Sequence, residues 1–342
     1  MPNFYRIGTR KSPLAIKQTE IVLEALKKAH PHDTKIHNAK VVGITTTGDT
    51  LQGKNLSEFG GKALFVKEIE QALLDNIIDF GVHSLKDVEA NLHPNFKLAC
   101  VLEREIINDV LITRNPEKAS LATLKPQAIV GTCSPRRAAQ LLDLRPDIKI
   151  VPLHGNVSTR LAKLENEGMD AIVLAFAGLK RLGVIEFLAT HHLSFSGLTR
   201  EPIDPRVEHE DDKIVLKNHP QFNACILTLD EMIPAVGQGA LTVETLCSNQ
   251  PILELLKPIN DQKTETCIRV ERAFLRERGG DCKTPVAAYA TVISEKNLVL
   301  KTFYAPLQGV PSIRLEALGD FDDPEELGIR AGKEIKRLGD QL

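Results

Sequence analysis

Short apolar runs alternate with amphipathic stretches through the first hundred residues of this chain. FYRIGT (Phe4 to Thr9) is a compact, largely apolar run and reads as a strand. Ser12 then precedes Pro13, the pairing favoured where a helix begins. Leu14, Ile16, Ile21, Val22, Leu23 and Leu26 follow at helical spacing. AKVVGITT (Ala39 to Thr46) predicts a second strand, ALFVKEIEQALLDN (Ala63 to Asn76) a second helix, and DFGVHSL (Asp79 to Leu85) a third strand. This order predicts a mostly parallel sheet covered by helices. The glycine-rich GDTLQGKNLSEFGG, from Gly48 to Gly61, lacks periodicity and reads as a mobile loop.

A second unit opens near Ala128. AIVGT reads as a strand, SPRRAAQLLDL as a helix, KIVPL as a strand, NVSTRLAKLENEG as a helix and AIVLAFAG as a strand. The two units echo one another: IGTRKSP opens the first and VGTCSP the second. Each places Gly-Thr at a strand end and Ser-Pro at a helix start, where free backbone N–H groups favour an anion. Two similar α/β domains facing across a cleft are expected. Residues 184–233 carry EHEDD and several histidines, including His191 and His192. They read as a surface elaboration; a metal site is the alternative, without HxxxH or CxxC spacing to support it. PAVGQGALTVE reads as a turn and a strand. TETCIRVERAFLRER predicts a helix running into GGDC, followed by strands near 287–292, 298–303 and 312–317 and a helix over about 323–338. That is a small α+β third domain.

Composition narrows the function classes. The 342 residues are 42% hydrophobic and 26% charged, a globular balance long enough for two or three domains. A net charge of −2 and 4% aromatic residues argue against nucleic acid as the partner, so any cationic site is local. No apolar stretch is long enough to span a membrane and the N-terminus lacks a signal pattern, so a cytoplasmic location is expected. The six cysteines form no CxxC pair and are irregularly spaced, which argues against a zinc site or disulfide framework. Cys282 stands apart from the other five, on the glycine turn RERGGDCKTP within a run of charge.

Cations gather at the predicted strand and helix ends: Arg10, Lys62, Arg136, Arg137, Arg160 and Arg181. Ligands of open α/β sheets bind outside the carboxyl ends of strands, and guanidinium groups there favour carboxylates or phosphates. Two arginines in a helix's first turn oppose its dipole, so Arg136 and Arg137 need a separate reason, and a bound polyanion is one. In VHSLKDVEA, Lys86 and Asp87 follow a buried-looking strand. A carboxylate there can stabilise developing positive charge or move a proton.

RIGTRKSPLAIKQ, GGKALFVKEIE, VHSLKDV, VGTCSPRR, HGNVSTRL, LAFAGLKRLG, PAVGQGA and the cysteine loop occur in the order found in porphobilinogen deaminases, also called hydroxymethylbilane synthases. The chain resembles that family from Arg6 to about Ala290; its last fifty residues carry little motif evidence. The resemblance implies an enzyme that joins four porphobilinogen molecules head to tail, releasing ammonia each time. It implies a dipyrromethane cofactor tethered by a thioether to Cys282, and Asp87 as the catalytic carboxylate. It assigns Ser84, Lys62, Lys86, Ser134, Arg136, Arg137, Gly155 and Arg160, with Asp87, to cofactor binding. Arg10, Ser12, Gln18, His154 and Arg181 fall to substrate binding, and no metal is implied. Each added pyrrole brings an acetate and a propionate, which explains the many cations.

The fold implied is two periplasmic-binding-protein-like α/β domains around a cleft plus a small C-terminal α+β domain. Their boundaries are 1–104 with 234–258, then 108–233 with an insertion over about 184–233, then 261–342 carrying the cysteine loop. A monomer is expected. Two positions depart from the family pattern: His154 stands where arginine is common, and Glu58 where some relatives have lysine. The rival function is a non-catalytic trap for a small anion, which would need neither Cys282 nor Asp87.

Overall fold

The computed structural model describes residues 3–50, 65–114, 119–188, 213–279, 284–306 and 311–341. The chain begins with strand β1 (Arg6–Arg10), helices α1 (Pro13–Ala29) and α2 (Thr34–His37), strand β2 (Lys40–Ile44), helices α3 (Thr47–Thr50) and α4 (Lys67–Leu74), and strands β3 (Phe80–Ser84) and β4 (Phe96–Val101). It then crosses into β5 (Asp109–Thr113), β6 (Ile129–Gly131), α5 (Pro135–Leu144), β7 (Lys149–Val151), α6 (Val157–Asn166), β8 (Ala171–Ala175), α7 (Phe176–Arg181), β9 (Ile185–Leu188), β10 (Lys213–Leu216) and β11 (Asn223–Ile226). A second crossing leads back to β12 (Leu241–Leu246) and α8 (Gln250–Leu256).

The first sheet runs β2-β1-β3-β12-β4 and the second β11-β5-β8-β6-β7. In the first, β1 pairs in parallel with β2 and β3, while β12 runs antiparallel between β3 and β4. In the second, β6 pairs in parallel with β7 and β8, while β5 runs antiparallel to β8 and β11. The reversed strand of each sheet, β12 or β5, is the one entered on crossing from the other. Both crossings therefore end in a sheet interior, and this double exchange puts the two sheets on either side of the crossing segments. Each sheet has its own core: Ile7, Val22, Phe80 and Val243 in the first, Val110, Leu164, Ile172 and Phe176 in the second.

The remainder is α9 (Gln262–Arg278), the antiparallel meander β13 (Val286–Val292), β14 (Asn297–Tyr304) and β15 (Ile313–Asp320), and α10 (Pro324–Gly339). Val270 and Phe274 of α9 pack with Leu327 and Ile335 of α10 over this sheet.

The predicted elements hold, with three differences. Within AIVLAFAG the strand stops at Ala175 and α7 begins at Phe176, whose N–H donates to the carbonyl of Asn108 at 3.0 Å. Phe176 and Leu179 then face one core at helical spacing, which an apolar run conceals. Helix α4 begins at Lys67, and of its predicted start Ala63 and Leu64 lie outside the described residues. The surface-elaboration reading of 184–233 fails for its later part: β11 adds an edge to the second sheet, and Leu227 and Met232 are buried in its core. His191, His192 and EHEDD lie outside the described residues, as do residues 51–61 of the expected loop; its first three residues, Gly48 to Thr50, instead belong to helix α3.

Candidate active site

Strand β3 delivers the acidic residue. Val82 and His83 are buried, Ser84 is half-buried, and Leu85 continues inward, with its N–H donating to the carbonyl of Ala240 at 3.1 Å. A single 3₁₀ turn over Leu85–Asp87 then brings Lys86 and Asp87 to an exposed edge. Gly237 packs against this turn at φ 72°, and a Cβ there would lie 2.1 Å from the Leu85 side chain. The return crossing thus clamps the turn, and only glycine fits.

Around Asp87 the first unit builds a pocket from Arg10, Ser12, Gln18, Phe65 and Ser84. The Ser12 hydroxyl caps α1 by accepting from the Ala15 N–H, and Gln18 donates to the Ser84 hydroxyl at 2.7 Å. Arg10 stacks over Phe65 with its guanidinium 4.1 Å from the ring centroid and pairs with Asp49. Behind the turn, the buried His83 lies 3.1 Å from Glu244 of β12. Burial, together with the Glu244 and Glu89 charges and against that of His83, raises nearby Glu70 to about 7.

The second unit supplies the facing wall. Ser134 caps α5 as Ser12 caps α1, by accepting from the Arg137 N–H. Arg136 and Arg137 point inward and grip Asp109, each through an Nη atom at 2.7 Å. They also donate to the carbonyls of Ile233 and Val173. Burial alone would raise the Asp109 carboxyl; the two guanidiniums overcome it and hold the group far below the usual carboxylate range. The reason for two arginines in a first helical turn is therefore an internal anion. Two cations on one carboxylate still leave a positive charge at this wall.

That charge is felt across the cleft. Lys86 is exposed, yet protein surrounds the space it opens into. Desolvation, with the Arg137 and Arg136 charges and against Asp87 and Asp109, lowers its ammonium to about 8. Arg160 donates to the Gly155 carbonyl at 2.8 Å. Burial first, and then the Arg137 charge, lower the Arg160 guanidinium, while Cys133 and Asp87 oppose. Arg181 donates to the Gly239 carbonyl at 2.6 Å, and burial lowers it to about 10 against the Glu105 charge. Among the described residues, Lys86, Arg160 and Arg181 have no carboxylate within ion-pair distance, an arrangement that favours a polyanionic occupant. His154 sits 3.3 Å from the Cys133 sulfur, which also accepts the Leu153 N–H.

The structure therefore brings Arg10, Ser12, Gln18, Ser84 and Asp87 into one pocket, with Lys86, Arg137 and Arg160 in electrostatic contact across the cleft. Cys282, Lys62 and Glu58 lie outside the described residues. Helix α9 leads toward Cys282, ending at Arg278 with Gly279 as its cap at φ 70°.

Two family models cover most of the chain. One, described as "Porphobilinogen deaminase, dipyromethane cofactor binding domain", matches residues 5–254, and the other, "Porphobilinogen deaminase, C-terminal domain", matches residues 265–337. The porphobilinogen deaminase of Syntrophotalea carbinolica is 40% identical over 334 residues, 98% of this chain and 93% of that protein. That of Macrococcus caseolyticus is 37% identical, covering 97% of this chain and 94% of its own length. The chain belongs to the porphobilinogen deaminase family. It is a deaminating transferase of tetrapyrrole biosynthesis, and it carries the family's dipyrromethane-binding domain.

The geometry fits that cofactor. A dipyrromethane built from two porphobilinogens carries four carboxylates, and the cleft offers Lys86 and Arg160, which among the described residues have no carboxylate within ion-pair distance, beside the Asp87 carboxylate. The sequence reading missed the residues that hold these walls in place. Arg104 donates to both Glu271 carboxylate oxygens, at 2.6 and 3.1 Å, and to the Gln238 carbonyl at 2.8 Å. Glu271 also accepts the N–H groups of Gly237 and Ala290, and Gln238 donates to Ile107 O and Asp109. One glutamate thus ties both crossings to the C-terminal unit. The sequence signal was present, a lone Glu in the buried stripe of α9, but its partners lie 19, 34 and 167 residues away in the chain.

Proposed function

We propose that this chain builds hydroxymethylbilane from four porphobilinogens on a dipyrromethane held by Cys282, with Asp87 as the catalytic carboxylate. The charge arrangement carries the reading: one carboxylate at a solvent-reaching turn lies near cations that, among the described residues, have no carboxylate partner. When bound, the cofactor supplies a free pyrrole α-carbon as the nucleophile. Lys86, Arg137 and Arg160, with Ser84 and Ser134 beside them, hold its carboxylates. Arg10, Ser12, Gln18, His154 and Arg181 receive the incoming substrate. Asp87 accepts hydrogen bonds from pyrrole N–H groups and stabilises the positive charge that develops on the substrate as ammonia leaves. It also moves the proton lost from the attacked ring carbon toward the departing amine. Ammonia leaves with one carbon–nitrogen bond broken for each carbon–carbon bond formed.

Three units are proposed to move about the two crossings: 1–104 with 234–258, 108–233, and 261–342. The enzyme is proposed to act as a cytoplasmic monomer; among the described residues, no helix is long and apolar enough to cross a membrane. Intact-protein mass spectrometry of Cys282→Ser tests the tether. The substituted chain is expected to have its bare sequence mass, and a retained dipyrromethane increment would place the tether elsewhere.

A further inference from the structure

We infer that a second anion site, separate from the cleft, lies between α9 and the segment following the Asp87 turn, and that it takes a small aromatic carboxylate. The pocket holds about 350 Å³, room for one or two rings, and Arg269, Arg272 and Arg276 line it with Leu92, Leu98 and Ile268. Residues 265, 268, 269, 272 and 276 recur at helical spacing, so they form one stripe of α9. A helix stripe turned toward a neighbouring unit is ordinarily apolar; this one is apolar at its base and cationic along its length.

The cations are short of counterions. Arg272 is 7% exposed and, among the described residues, donates only to the backbone carbonyls of Glu89 and Ala90, at 2.6 and 3.1 Å. Among the described residues, neither Arg272 nor Arg276 has a carboxylate within ion-pair distance. Arg269 has one partner, the exposed Glu325 at 3.3 Å, and such a pair contributes little. Glu265 lines the pocket too and offsets one of the three cations; its carboxylate accepts from Asn260 at 2.7 Å. Burial first, and then the Arg276 charge, lower Arg272 to about 10, against the pull of Glu244. Arg272 and Arg276 stand four apart on one helix face, a like-charge pair that weakens a helix unless an anion bridges it.

Leu92, Leu98 and Ile268 define the other half of the occupant. A hydrated inorganic anion would leave this floor wet, whereas a flat ring bearing a carboxylate covers it and meets the guanidiniums. Asp87, Lys86 and Arg160 do not line this pocket. It is nonetheless coupled to them through Arg272, whose guanidinium holds the carbonyls two and three residues beyond Asp87. Helix α9 itself ends four residues before Cys282. An occupant would therefore act on the catalytic turn from behind without competing for the cleft.

The test is calorimetric titration of the cofactor-loaded protein with 2-naphthoate as probe. Saturable 1:1 binding is expected, weakened about tenfold in Arg276→Gln and not displaced by saturating porphobilinogen. Arg276 is exposed, so this variant should melt with the parent; Arg269→Gln is a second variant expected to weaken binding in the same direction. Absence of saturable binding at millimolar probe, equal binding in both variants, or displacement by porphobilinogen would each overturn the site. Displacement by inorganic phosphate at the concentration where 2-naphthoate half-saturates would overturn the aromatic-carboxylate class.

Discussion

IGTRKSPLA and VGTCSPRRA fold into nearly the same local object, a strand end, a serine cap and a proline-led helix, yet the two halves use it differently. In the first, the residues after the cap are apolar, Val22 and Leu26 further along pack α1 onto the sheet, and the exposed carboxylate, Asp87, sits on the neighbouring β3 turn. In the second, the residues after the cap are Arg136 and Arg137, which turn inward and spend most of their charge on Asp109. One wall presents a carboxylate that can act on a reacting centre. The other is built to hold charge in place. The lesson is that a repeated backbone motif fixes where a site lies, and the two or three side chains after it decide whether that wall reacts or binds.

Substitutions on the two walls should therefore separate kinetically. Asp87→Asn should lower the elongation rate by about 10³-fold while leaving the fold and cofactor in place. Single-turnover kinetics on the purified variant measure this, and near-normal turnover would remove Asp87 from the chemistry. The junction between the walls comes next. Glu271→Gln breaks a buried pair and loosens both crossings, so it should destabilise the protein by about 3–5 kcal/mol in urea unfolding. A shift below about 1 kcal/mol would mean the crossings are held by packing instead. Arg160→Gln should raise KM by about tenfold and leave kcat within about twofold; the reverse pattern would erase the distinction between the walls.

The smallest effect is on pH. Lys86 is lowered to about 8, so its ammonium, and its attraction for substrate carboxylates, is present below that pH and is lost as pH rises through it. Substrate affinity should fall by at most about tenfold from pH 8 to pH 9. Lys86→Gln should be weaker throughout and lose this dependence; an unchanged profile would assign the titration to another group.

Much of the fold was legible because its elements are amphipathic and capped: Ser12 and Ser134 gave both helix starts, and the C-terminal meander and α10 follow their apolar periods. The motif residues of the site were legible too, as Asp87 and the cations end strands or open helices. What stayed hidden depends on distant partners. The sequence offered a polyanion as the reason for Arg136 and Arg137, and only the crossing into β5 places Asp109 between them. Strands β4 and β5 went unread because each is completed by a strand over 50 residues away, β12 or β8. The Arg104–Glu271 pair spans 167 residues, a separation at which no local pattern links the two.

The central claim is that a polypyrrole chain grows on Cys282 within reach of Asp87. Intact-protein mass spectrometry after adding porphobilinogen in increments tests it most directly. The unsubstituted protein should carry one dipyrromethane and then show a ladder of one-pyrrole additions, and Cys282→Ser should show neither. A bare chain that binds porphobilinogen without gaining covalent mass would contradict the account and leave a two-walled anion trap in its place.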